Sequence, residues 1–160
     1  MYNYRMVERL YDLNQYHSSK ASLEAVIPDD MHRIPRFLHA TGAVMDELTR
    51  EVPRLKESIG TVRFVDRLKV EDKLGDFYTA GEIKFRPKDK PLGYEIGVSR
   101  EALGEEGWHV PAWGVICREV LEMDNQINGK EGRSELSSHL LNQRTRQIIR
   151  KALGEDIVLE

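Results

Sequence analysis

This sequence is short of most things that staple or anchor a small protein. One cysteine among 160 residues, Cys117, rules out a disulfide within the chain and a cysteine-based zinc ribbon. A reducing cytoplasm is the setting this suggests. No apolar run approaches the roughly 20 residues needed to cross a bilayer. The stretch MYNYRMVERLYDLNQYH mixes charges with apolar residues and lacks the uninterrupted apolar core of a secretory signal. Neither sign of charge dominates: 24 Lys and Arg stand against 27 Asp and Glu, a net charge of −3. That balance argues against coating nucleic acid by bulk electrostatics, though a local basic face can still exist. No internal repeat, low-complexity tract or linker divides the chain, so one domain over residues 1–160 is expected.

What is present is a clear pair of periodicities. Met6, Leu10 and Leu13 fall at helical spacing and predict a short amphipathic helix over about 1–15. Ile34, Phe37, Leu38, Val44, Met45, Leu48, Val52 and Leu55 form a second helical stripe, with Pro53 as a kink or terminus. After Gly60 the period becomes two: Val62, Phe64, Leu68 and Val70 alternate with mostly charged residues. Two further strands are expected over Phe77–Arg86 and Leu92–Val98, separated by the turn-forming string PKDKP. Ser99 can cap a short helical turn, and Val115, Ile116, Val120, Met123 and Ile127 predict a helix from Pro111 to Gly129. A last helix, Ser134–Leu153, presents Leu136, Leu140, Leu141, Ile148, Ile149, Ala152 and Leu153 on one face. The expected class is α+β: N-terminal helices, a small and mostly antiparallel sheet of about three strands, then two helices.

The sequence from Tyr94 to Leu153 resembles the SprT-like family, from its last strand through its C-terminal helix. That family carries H-E-x-x-H on a helix, an Asn-Gln-x-x-Gly-like continuation and a third histidine. Here the frame reads REVLE, Arg118–Glu122, continued by Asn125, Gln126, Ile127, Asn128 and Gly129, with His139 where the third metal histidine would stand. The resemblance implies a minimal zincin-like fold. It also implies that Glu119 matches the general base, and that Arg118 and Glu122 sit where two ligands belong.

Histidines four apart lie on one helix face and offer neutral nitrogens to a single zinc. Arginine stays protonated and has no lone pair for a metal. Ordinary zinc hydrolysis should fail, and the expected role is that of a non-catalytic scaffold or macromolecule-binding protein of bacterial or phage origin. Two alternatives remain at this point. One is a metal-dependent protease with an atypical zinc site of Glu119, Glu122 and His139. The other is a structural component of a phage particle.

Arg118 could instead replace the missing cation by pairing with Glu122 one turn on, as an interior pair or as an exposed one. Cys117 reads as a small packing residue rather than a nucleophile, and His109 as a loop histidine. Arg144, Arg146, Arg150 and Lys151 make the last helix locally basic. A protein partner is therefore expected, with DNA or DNA-bound protein as a candidate, and no cofactor.

Overall fold

Strand β2, Ser22–Pro28, buries Leu23, Ala25 and Ile27 while Glu24 faces solvent, the two-residue alternation of a sheet with one covered face. The same alternation recurs in β3, Ile59–Val65, which buries Gly60, Val62 and Phe64, and in β7, Gly93–Ser99, which buries Tyr94, Ile96 and Val98. These strands form the centre of a sheet in a computed structural model that describes residues 7–17, 20–72, 75–103 and 111–159. Strand β1, Glu8–Asp12, and β6, Gly81–Arg86, are its edges, giving the order β1-β2-β3-β7-β6. Both outer pairings are antiparallel, whereas β2, β3 and β7 run parallel. A separate hairpin, β4 at Leu68–Asp72 with β5 at Gly75–Thr79, interrupts the path from β3 to β6.

Parallel neighbours need a crossover. Helix α1, Ile34–Glu51, supplies the one between β2 and β3. It is entered through Arg33 in the left-handed region, φ 61°, and carries Pro35 in its first turn, where a missing N–H costs nothing. A 3-10 turn at Pro53–Glu57 follows. After β7 come the short helix α2, Arg100–Leu103, then α3, Ala112–Lys130, and α4, Ser138–Leu153. Val44, Met45 and Leu48 of α1, Ile116, Val120 and Met123 of α3, and Ile148 and Ile149 of α4 join the inner sheet face in one core. Helix α4 packs on both α1 and α3. Among the described residues, no helix is long and apolar enough to cross a membrane.

The sheet corrects the sequence-based fold. Five strands in mixed order replace a small antiparallel set of about three, and a minimal zincin-like architecture is not established. The expected helix over 1–15 fails where it is described: Glu8–Asp12 is a strand, Leu10 points to solvent at 63% exposure, and Leu13 lies in a 3-10 turn. Strand β2, in a stretch that carried no assignment, is the chief omission. Parallel pairing depends on partners dozens of residues away, which local period does not encode. The long strand over 62–70 is broken at Asp66, whose carbonyl accepts from the Glu101 N–H at 3.1 Å. The one over 77–86 breaks at Ala80, whose carbonyl accepts from the Ser99 N–H at 2.9 Å. Ser99, at the entrance to α2, donates its hydroxyl to the Asp66 carbonyl at 3.5 Å.

Gly60 and Tyr94 are register partners on β3 and β7, and the tyrosine ring lies over the glycine. A Cβ at position 60 would fall 2.2 Å from Tyr94 Cζ, far inside van der Waals contact. Replacing Gly60 with alanine should therefore cost about 1–3 kcal/mol through a displaced ring. A urea midpoint equal to that of the native protein would show that the ring swings aside freely.

Candidate functional site

Helix α3 is positioned by its apolar face and by one close approach. A Cβ at Gly81, the first residue of β6, would meet Val115 Cγ1 at 2.5 Å and Glu119 Cγ at 3.0 Å. Lacking that atom, the strand settles directly on the helix, and Glu119 lies beneath it. The helix interior includes Cys117, fully buried, with its thiol pushed well above the ordinary range by that burial. A thiol so disfavoured from ionising is a poor nucleophile.

Glu119 is partly buried, and its carboxyl is raised to about 7. Burial is the main cause; Arg118 pulls the value back, while Glu122 and Glu82 push it further up. Among the described residues, it has no hydrogen-bond partner.

Arg118 is engaged on all three nitrogens. Its Nε donates to Asn142 Oδ1 at 2.7 Å, Nη1 to Glu122 Oε2 at 2.9 Å, and Nη2 to Ser138 Oγ at 3.2 Å. Gln126 Nε2 donates to the other Glu122 oxygen at 3.3 Å. With 19% of the Arg118 side chain exposed, this is not a solvated surface pair. Two of its three partners belong to α4, so it fastens α3 to α4.

The residues of α4 that reach this cluster are Ser138 and Asn142, four apart on one face. His139 is on the neighbouring face, exposed, with its Nε2 3.3 Å from Gln143 Nε2 of its own helix. Arg118, Glu119 and Glu122 share one helix, and across from it Ser138 and Asn142 bond Arg118 while His139 contacts Gln143 of its own helix. Among the described residues, no group of three or more His, Cys, Asp or Glu is arranged to hold a metal. His109 lies outside the described residues.

Three features were missed from sequence. Asn125 is buried, donates to the Leu136 carbonyl at 3.0 Å and accepts from the Leu136 N–H at 2.6 Å, imitating a strand partner. Leu136 and Leu140, expected on an apolar helix face, are 38% and 45% exposed; α4 begins only at Ser138, with the Ser137 hydroxyl capping the Leu140 N–H. Asp124, almost buried, sits 2.8 Å from Arg54 Nε and 3.9 Å from Arg144. An asparagine or aspartate inside an amphipathic helix pattern was the available signal: a polar residue on the buried side needs a partner.

The basic residues of α4 are engaged from within the chain. Besides Arg144, Arg146 Nη2 donates to the Leu159 carbonyl at 2.8 Å, Arg150 Nε to Asp156 at 2.8 Å, and Lys151 to Glu51 at 3.1 Å.

No protein-family model, curated protein or solved structure matches the chain.

Two outcomes follow from this geometry. Because the Glu119 carboxyl titrates higher folded than unfolded, the folded state holds the extra proton between about pH 4.5 and 7. Its contribution to stability is unaffected at low pH, falls as pH rises through that window, and levels off above it. Glu119→Gln should leave stability near pH 4 unchanged and raise it at pH 8 by on the order of 2–3 kcal/mol, flattening the denaturation profile. Parallel profiles would mean the carboxylate is solvated. Asn125→Ala strands both peptide groups of Leu136 and should cost about 2–3 kcal/mol, with faster amide exchange over 131–137; unchanged exchange there would remove the clamp from the account.

Proposed function

We propose that this chain is a non-catalytic, SprT-like protein that binds an extended segment of a partner protein along the edge strand β6, in a bacterial or phage cytoplasmic setting. The observation that carries the reading is Arg118. In the position where a metal ligand would be needed, its guanidinium is held by Glu122, Asn142 and Ser138. A permanent cation there repels a divalent ion and offers it no lone pair.

The docking half of the proposal rests on β6. Among the described residues this strand pairs on one side only, with β7. An unpaired strand edge offers backbone donors and acceptors to any extended chain, and adjoining side chains supply selectivity. On the strand itself, Ile83 and Phe85 are partly exposed, with Lys130 over the Phe85 ring at 5.6 Å, and Glu119 faces the same strand at Gly81. Strand Gly81–Arg86 would provide the main-chain contacts, and Glu119 would favour a donor on the incoming segment.

Purified protein should show no chelator-sensitive cleavage of casein. Cleavage that chelator abolishes and Glu119→Gln removes would overturn the non-catalytic reading. Peptides selected from an array of extended sequences should slow amide exchange across residues 81–86, and Ile83→Asp should weaken them about tenfold. Binding that protects other strands and ignores Ile83 would remove β6 as the docking edge.

A further inference from the structure

After α4 the chain turns at Gly154, φ 67°, whose N–H closes the helix on the Arg150 carbonyl at 2.8 Å. The segment Glu155–Leu159 then lies back without regular structure. Glu155 pairs with Arg36 at the start of α1, Asp156 with Arg150, and the Leu159 carbonyl accepts from Arg146. Ile157 is 8% exposed and belongs to the core cluster, while Val158 beside it is 61% exposed. Arg36 also stands over the Trp113 ring, 5.2 Å from its centroid. Three arginines, Arg36 of α1 with Arg146 and Arg150 of α4, and an apolar slot at the core thus form a seat already filled by two acids and an isoleucine.

We infer that this seat is a docking site for an acidic, aliphatic-centred extended segment of another protein, and that Glu155–Leu159 occupies it as an exchangeable strap. The occupant's chemistry is visible in what is seated: carboxylates at Arg36 and Arg150, a main-chain carbonyl at Arg146, and one branched aliphatic side chain inward. A nucleic-acid backbone could satisfy the arginines but has nothing to fill the slot that Ile157 fills. The strap is held for exchange rather than locked. Arg150 and Asp156 are 70% and 77% exposed, and ion pairs so exposed hold weakly. Ile157 is the main anchor, helped by the half-buried Leu159, which packs against the same core. Tethering gives the strap a high local concentration, so a competing segment must match its pattern or arrive in a linked, multivalent form. This site is separate from β6 and does not depend on the proposal for that edge.

The test uses the 160-residue chain and its Ile157→Ser variant, titrated with a labelled synthetic peptide of sequence GEDIVL. The variant should bind the peptide about tenfold more tightly than the native chain, whose own strap competes. Adding Arg36→Glu and Arg150→Glu should abolish that binding. No gain in a variant that keeps native circular dichroism would overturn the inference, as would a labelled single-stranded oligonucleotide binding better than the peptide. Should Ile157→Ser not fold, amide exchange in the native chain decides. Exchange of 155–159 well ahead of α4 supports an exchangeable strap, and protection equal to that of α4 sinks it.

Discussion

The five-stranded sheet has one face to bury, and α1 and α3 are brought to it by the apolar residues they turn inward. Once α3 is pressed onto β6 at Gly81 and its apolar side is committed to the core, its polar residues must lie along the seam with α4 or beneath the strand edge. Each then needs a partner, because a buried or half-buried polar group without one loses its hydration for nothing. Arg118, Asp124 and Asn125 meet that need through Asn142, Ser138, Arg54 and the Leu136 peptide groups. The placement of α4 and of the loop before it follows from these bonds.

Seen in this way, the REVLE helix is a fastening between two helices. Arginine suits it, since its planar guanidinium presents several donors in fixed directions and keeps its charge when half buried. Histidine would offer two nitrogens and could not hold Glu122, Asn142 and Ser138 together. Glu119 differs from its neighbours: beneath Gly81, it keeps a carboxyl close to neutral pH without a partner among the described residues. It is the one acid of the helix whose surroundings favour an incoming donor.

The basic stripe of α4 illustrates how far charge counting carries. Arg144, Arg146, Arg150 and Lys151 read as a surface awaiting a polyanion, yet each meets an acid or a carbonyl of the chain itself. Their partners, Asp124, Leu159, Asp156 and Glu51, come from α3, the C-terminal segment and α1, so this engagement appears only in three dimensions.

Helix α1, helix α3 and the inward alternation of β3 and β7 were legible because each is written within a short window of sequence, as a period of 3.6 or of two. The Arg118–Glu122 pair was legible for the same reason, being one turn apart on one helix. Strands β1 and β2 were not, since Met6, Leu10 and Leu13 imitate a helical spacing and the proof of a strand lies in its neighbour. Nor was the choice of Ser138 and Asn142 over His139, three residues that one helix places on two faces and that only the docking angle of α4 separates. Local periodicity and residue chemistry thus determined helices α1 and α3, the inward alternation of β3 and β7, and that position 118 carries a permanent cation. Strand order, the partners of that cation, and the covering of the basic helix were decided by tertiary structure, because each is a contact between groups far apart in the chain.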